Sequence, residues 1–201
     1  MQYLETLADL EALYGSPSQA ARVKVTPALI PAYSAFIARS RFCILSTVGA
    51  EGTDASPRGD EGPVVAQLDT ATLAMPDWRG NERIDSLRNI VTDGRVSLMF
   101  FVPGSSTVIR VNGRAKITTD DALRQRFAHR EKLPRTVLVV AIAEVYPQCA
   151  RAIMRSELWT SGDQSQGLPT IGEMLRQATQ GEIDAQAYDA AWPGRAAGSM
   201  W

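Results

Sequence analysis

Apolar residues recur along this chain with a helical period at both ends and a strand period in between. Leucine stands at positions 4, 7, 10 and 13, and this spacing predicts a short amphipathic helix near the amino terminus. A second helix is predicted to begin at Thr26-Pro27 and to continue to about Arg39, because a capping residue followed by proline is typical of a first helical turn. Residues 1–40 are therefore interpreted as a helical segment.

The middle of the chain, residues 41–148, has the pattern of β-strands separated by turns. Short apolar or alternating runs predict strands at residues 42–48, 53–56, 64–68, 71–75, 95–102, 107–118 and 136–145. The turn-rich residues 49–52 predict a hairpin between the first two strands, and helices are expected at residues 82–92 and 120–129. Six or so antiparallel strands with interposed helices favour a closed or nearly closed barrel, which leaves few exposed strand edges.

The last third of the chain, residues 149–201, returns to a helical pattern. Helices are predicted at residues 151–158, 169–179 and 184–191, separated by the polar loop 160–167 and broken by Gly181 and by Pro193-Gly194. This extension is too small to fold alone, and we expect it to pack on the barrel or on a second subunit. We interpret residues 1–201 as one domain of mainly β structure with helices, the α+β class.

Composition narrows the classes of function. With 201 residues, 45% of them apolar, the chain can bury one substantial core. The formal charge of −1, from 21 Lys plus Arg against 22 Asp plus Glu, argues against a nucleic-acid partner. The amino terminus lacks the pattern of a secretory signal and no apolar run approaches the roughly 20 residues of a membrane span, so a cytoplasmic protein is expected. Two distant cysteines and one histidine indicate neither a disulfide framework nor a metal site.

Two arginine-bearing segments, residues 56–60 and 81–89, have the composition of a phosphate site. The second segment turns helical, which leaves a group of polar residues near the helix start or on its exposed side, namely Asn81, Arg83, Ser86, Arg88 and Asn89. Helix amino termini present unpaired N–H groups and partial positive charge, and guanidinium groups match phosphate oxygens. A phosphorylated ligand is therefore predicted, although Arg88 taken alone is equally explained by pairing with an acidic residue at helical spacing.

The predicted strand 107–118 has one polar, basic face. Arg110, Asn112, Arg114 and Lys116 alternate with apolar residues. Such a stripe suits a solvent-exposed strand and a ligand-binding surface about equally, so the pattern leaves both open.

Taken in order, these segments resemble the FMN-binding split β-barrel of pyridoxamine 5'-phosphate oxidase-related proteins, and in particular a bacterial branch of that family. The resemblance rests on Ser-Pro-Arg-Gly at 56–59, on Asn-x-Arg-x-x-Ser-Leu-Arg-Asn at 81–89, on the strand 110–115 and on the segment 149–159. It implies that the FMN phosphate and ribityl chain are held by Arg58, Arg83, Ser86, Arg88 and Asn89. It further implies that Asn81 orders its loop, that Arg110 and Asn112 approach the flavin from the side, and that Trp159 lies near a flavin across a dimer interface.

The resemblance implies a homodimer with a flavin at the subunit interface and a small-molecule substrate. The chain departs from authentic pyridoxamine phosphate oxidases, because its tail lacks their Arg-x-His substrate pair and its one histidine is His129. The expectation is therefore an FMN-dependent oxidoreductase that transfers hydride to flavin N5 from an unidentified substrate, with no catalytic side chain assigned. The alternatives are a non-catalytic flavin-binding module and a split barrel that uses a deazaflavin or haem, the latter disfavoured by the scarcity of histidine.

Overall fold

The computed structural model describes residues 1–200, and no helix in this range is long and apolar enough to cross a membrane. The strands are β1 Phe42–Gly49, β2 Gly52–Gly59, β3 Ala66–Gln67, β4 Thr72–Asp77, β5 Arg95–Phe101, β6 Val108–Thr118 and β7 Thr136–Gln148. The helices are α1 Leu7–Leu13, α2 Gln19–Val23, α3 Pro31–Ile37, α4 Asp85–Thr92, α5 Asp121–Gln125, α6 Arg151–Arg155, α7 Ile171–Ala178, α8 Ala185–Ala190 and α9 Trp192–Ser199.

The strands form one seven-stranded sheet in the order β2-β1-β5-β6-β7-β4-β3, and every ladder in it is antiparallel. The β1–β2 and β5–β6 pairs join strands that are consecutive in sequence. By contrast, β4 pairs with β7, although α4, β5, β6 and α5 lie between them in sequence. The sheet curls around its apolar face. The predicted α+β class and split barrel are confirmed.

Alternation along the strands places the core inside this sheet. Cys43 and Leu45 of β1 and Leu98 and Phe100 of β5 are fully buried, and their sequence neighbours on the same strands are more exposed. α4 covers the core through Ile90, which is 4% exposed. Because side chains fill the interior, a ligand has to bind at the rim of the barrel rather than within it.

A β-bulge allows the long strands β6 and β7 to coil together. The register shifts between Asn112 and Gly113, and a Cβ at Gly113 would collide with the carbonyl oxygen of Ala141. Glycine is required here because two backbones approach closely, which is a common role of glycine at a bulge.

The helices that precede the barrel differ from the prediction. The predicted start at Thr26-Pro27 is wrong, because Thr26 exchanges two backbone hydrogen bonds with Val145 of β7, with N···O distances of 3.0 and 2.8 Å. The helix begins instead at Pro31, after Ile30 as N-cap. A cap-like pair is a local signal, and here pairing with a distant strand overrides it. The short helix α2 was not predicted.

Three further boundaries need correction. The helix expected at 120–129 ends at Gln125, and His129 forms an isolated bridge with Lys132. The expected strand 64–68 is shorter in the structure, where β3 comprises Ala66 and Gln67. Pro193 was expected to break the tail helices, yet it lies in the first turn of α9, where the missing N–H of proline is not needed.

Candidate functional site

A cavity of about 450 Å³ opens at the rim of the barrel. Its walls come from the end of β2, the end of β4, the loop 78–84 and the first turn of α4, and Arg135 closes one side. The volume falls within the roughly 300–1,000 Å³ that is usual for small-molecule sites. Four of the residues predicted to bind the cofactor line this cavity, namely Arg58, Asn81, Arg83 and Ser86.

Arg58 is the most enclosed cation of the cavity. Its Nη1 donates to Oδ1 of Asp77 at 2.6 Å, and the two side chains are only 20% and 14% exposed. Its Nε is buried and has no hydrogen-bond partner among residues 1–200. A buried N–H without an acceptor costs about 1–3 kcal/mol, so Arg58 is held in place and keeps an unused donor for a ligand oxygen.

The first turn of α4 lies at the same cavity. No side chain caps this helix, whose N-cap is Ile84, and its unpaired N–H groups add partial positive charge. Ser86 is 5% exposed, and its hydroxyl donates to the carboxylate of Asp54 on β2. Ser86 therefore fixes the start of α4 against the edge strand β2. The amides of this first turn and Arg58 contribute positive charge to the same cavity.

The second half of the loop 78–84 is ordered by short-range contacts. Oδ1 of Asn81 accepts from the backbone N–H of Arg83 at 3.1 Å, so Asn81 orders the loop. The Nε of Arg83 donates to Asp85 at 2.5 Å. Because the Arg83 side chain is 79% exposed, its guanidinium can leave this partner and reorient.

Arg135 braces the loop from the opposite wall. Its Nη1 lies 2.7 Å from Oε2 of Glu82, a residue whose φ of 63° is left-handed. The hydrogen bond from Arg135 lowers the pKa of the Glu82 carboxyl, and Glu82 in turn raises the pKa of Arg135. Both side chains are more than half exposed, so the pair adds little stability and leaves Arg135 able to exchange partners.

Arg88 and Asn89 lie at a second, smaller cavity of about 290 Å³ between α4 and the β1–β2 turn, which Arg83 also lines. Nδ2 of Asn89 donates to Oγ1 of Thr47 at 3.0 Å, and a Cβ at Gly49 would collide with the Asn89 amide. Asn89 thus docks α4 onto β1. Arg83 is the residue that the two cavities share.

Arg110 and Asn112 line neither of these cavities. They lie on the outer face of β6, where Nη1 of Arg110 donates to the hydroxyl of Tyr146 at 3.3 Å and Nδ2 of Asn112 donates to Glu144 at 2.7 Å. Nε of Arg110 is buried and unpartnered within residues 1–200. The structure therefore separates the predicted site residues into a rim group and an outer-face group.

Trp159 lies apart from both groups. It follows α6, is 37% exposed, and its Nε1 donates to the carbonyl oxygen of Ser105 at 2.8 Å. This bond ties the start of the carboxyl-terminal extension to the turn between β5 and β6.

Sequence reasoning did not assign several charged residues of the cavity, among them Asp77 and Arg135. Asp77 stands in a segment that reads as a loop, and Arg135 lies far from the other cavity residues in sequence. No local pattern marks either of them, because each acquires its role through a pairing between distant segments.

The remaining reactive groups do not form a second site. Burial raises the pKa of the Cys43 thiol to about 12, partly offset by the charge of Arg58, so Cys43 is a core residue. Within residues 1–200, no group of three His, Cys, Asp or Glu side chains is placed to hold a metal ion.

Comparison with protein families identifies the fold and its lineage. The model of the family described as pyridoxamine 5'-phosphate oxidase matches residues 29–149, which include α3, the whole barrel and every residue that lines the two cavities except Met200. The chain belongs to the pyridoxamine 5'-phosphate oxidase family. Comparison with curated protein sequences found no match.

Three solved structures each align with a little under 60% of this chain. A variant of HupZ from Group A Streptococcus aligns with a TM-score of 0.50 at 18% identity, over 59% of this chain and 98% of that one. General stress protein 26 of Bacillus anthracis aligns with a TM-score of 0.43 at 19% identity, over 57% and 88%. An FMN-binding protein of Syntrophomonas wolfei aligns with a TM-score of 0.43 at 18% identity, over 58% and 80%. At these identities the likeness concerns the fold alone.

Proposed function

We propose that this protein binds FMN in the larger cavity and acts as an FMN-dependent oxidoreductase on a small molecule. The observation that carries the proposal is the enclosed Arg58, with an unpartnered Nε, beside the uncapped start of α4. Together they offer guanidinium and backbone donors to one anion, the arrangement that phosphate prefers. Membership in the pyridoxamine 5'-phosphate oxidase family supports a flavin as the bearer of that phosphate.

The cavity residues fit the parts of FMN. Arg58, Arg83 and the amides of α4 would hold the phosphate, Ser86 would stand beside the ribityl chain, and Asn81 would keep the loop in place. Val64, Trp78 and Leu87 line the same cavity, and their apolar surface suits a planar ring system and keeps water from it. Arg88 and Asn89 line the neighbouring cavity, which shares Arg83 with the larger one. They would complete the group of residues that binds FMN.

When bound, FMN supplies the redox chemistry by accepting a hydride at N5. The residues of this chain provide binding, orientation and charge. Arg135 stands at the mouth of the cavity in an exposed pair with Glu82, so it can exchange that partner for an anionic group of a substrate. No side chain of the cavity is assigned as acid or base.

The proposal includes a homodimer with a flavin at the subunit interface. The outer face of β1 and β5 presents Phe42, which is 41% exposed, against Phe101 at a ring-centroid distance of 6.0 Å. Pairing through this face would bring the outer-face group, Arg110 and Asn112, to a second subunit. The mass in solution by light scattering tests this arrangement, and a monomer at all concentrations would contradict it.

The site assignment is tested by the double variant Arg58→Ala/Arg83→Ala. Each lost charge-assisted contact is worth roughly 1.5–3 kcal/mol, so FMN affinity should fall by at least about a hundredfold. Titration of FMN by fluorescence quenching measures the effect. Arg95→Ala is the matched control, because Arg95 pairs with Asp93 outside the cavity. Unchanged affinity in the double variant, in a chain that remains folded by circular dichroism, would overturn the assignment.

A further inference from the structure

The carboxyl-terminal helices end at the cavity proposed to bind FMN. Met200, the residue that follows α9, is among the residues that line it, whereas every other lining residue lies between Ser56 and Arg135. The tail therefore supplies one wall from a part of the chain outside the barrel. Met200 itself is 59% exposed, so it borders the mouth of the cavity and is not embedded in the core.

The helices leading to Met200 are joined by specific contacts. The backbone N–H of Gly172 in α7 donates to Oδ1 of Asp189 in α8 at 2.9 Å. A Cβ at Gly172 would collide with the carbonyl oxygen of Ala185, so glycine is required for the close approach of the two helices. α7 begins with a capping box between Thr170 and Glu173.

The last helix is weak by composition, and one of its side chains links it to α8. α9 contains Gly194 and Gly198, and glycine lowers helix propensity relative to alanine. Arg195 holds it to α8, because its Nη2 donates to the carbonyl oxygen of Tyr188 at 2.9 Å and its guanidinium lies 4.0 Å from the centre of the Tyr188 ring. Loss of the contacts between Arg195 and Tyr188 would loosen α9 and Met200. The barrel would not be disturbed, because both residues lie in the tail.

We propose that α9 and Met200 form a movable wall that controls access of flat, ring-bearing molecules to the cavity. The methionine side chain is unbranched and polarisable and adapts to flat apolar surfaces, and Pro76, Trp78 and Leu87 provide apolar surface in the same cavity. The inference that such a wall exists rests on the geometry of the tail. The identity of the molecule that it admits rests on the proposed function.

The first experiment tests the wall without any flavin. Met200→Cys is labelled with bimane in a Cys149→Ser/Trp201→Phe background. Cys149 is exposed, Cys43 is buried and its thiol has a pKa of about 12, and residue 201 is a tryptophan next to the label in sequence. Tryptophan quenches bimane at contact. Replacing Trp78 by phenylalanine should raise the bimane fluorescence, and Arg195→Ala should raise it with Trp78 intact. Fluorescence that neither substitution changes would overturn the wall.

The second experiment measures the rate of FMN release from the holoprotein on dilution. Arg195→Ala should accelerate release by about twofold to fivefold, the population change expected from loss of one exposed cation–π contact. Gly198→Ala should slow release by a similar factor, because its added methyl meets nothing within 4 Å and stabilises the helix.

Gly15→Ala is the matched control for release, since its methyl also meets nothing within 4 Å and it lies outside the tail. Equal release rates in all three variants would overturn control of access. Purification of a protein that neither contains nor binds FMN would refute the proposed function, and the bimane result would then still decide whether the wall exists.

Discussion

The barrel and the terminal helices of this protein are built on the same amphipathic rules but differ in what they bury. Strands β1, β5, β6 and β7 each carry several buried side chains. By contrast, α1, α2, α6, α8 and α9 bury none, and α7 buries only Gly172. The stability of the fold therefore resides in the barrel, whereas the terminal helices can move with little effect on it. The proposed FMN cavity lies where these regions meet.

The largest expected effect contrasts a leucine from each region. Leu98→Ala in β5 removes a fully buried side chain and should lower the free energy of unfolding by about 2–5 kcal/mol. Leu10→Ala in α1 changes a side chain that is 41% exposed and should cost about 0.5 kcal/mol or less. Urea denaturation of both variants measures the difference, and similar losses would show that α1 belongs to the core.

A smaller effect is expected from two glycines that both lie against a neighbouring backbone. Gly113→Ala forces apart β6 and β7 and should lower the global stability by about 1–3 kcal/mol. Gly172→Ala separates α7 from α8 and should instead increase hydrogen exchange in residues 170–199, with an unchanged urea midpoint. A midpoint lowered equally by both substitutions would contradict the proposed independence of the tail.

The smallest expected effect concerns pH. Hydrogen bonds from Arg95 lower the pKa of Asp93, at the joint between α4 and β5, from 3.8 to about 2. Because this pKa is lower in the folded state, the contribution to stability is complete above about pH 4 and is lost as the pH falls from about 4 to 2. Asp93→Asn should therefore flatten the stability profile in that window.

Asp163 gives the comparison from the carboxyl-terminal extension. Its carboxylate accepts a hydrogen bond from Ser165 in the same loop, which lowers the pKa of the carboxyl. Asp163→Asn should leave the acid profile of global unfolding unchanged, because its loop lies outside the barrel. Denaturation midpoints between pH 2 and pH 5 distinguish the two carboxylates, and an equal flattening by both substitutions would count against the comparison.

The accuracy of prediction from the sequence also differs between the barrel and the terminal helices. Strand positions in the barrel were predictable because alternation is a local signal, and β1, β5 and β6 lie within one residue of the predicted bounds. The prediction of a helix start at Thr26 was wrong because the backbone of Thr26 is hydrogen-bonded to Val145, which is distant in sequence. The path of α9 past Pro193 was missed because proline is compatible with a first helical turn as well as with a break.

The candidate site was predictable only in part. Arg58 and Arg83 stood out by residue type, Arg83 beside a predicted helix start, and the structure brings them to one cavity. Asp77, Arg135 and Met200 had no local signal, since their positions depend on how β4, β7 and the tail fold against the rim. The outer-face position of Arg110 follows from strand alternation, whereas its proposed place beside a flavin rests on the proposed dimer.

The measurement that tests the proposed function most directly is a comparison of FMN with riboflavin as ligands of the purified protein, by fluorescence quenching. The two differ only in the phosphate, which Arg58, Arg83 and the start of α4 are proposed to hold. FMN should bind at least about tenfold more tightly, since one charge-assisted contact is worth roughly 1.5–3 kcal/mol. Equal affinity for the two flavins, or binding of neither, would contradict the assignment of this cavity as an FMN site.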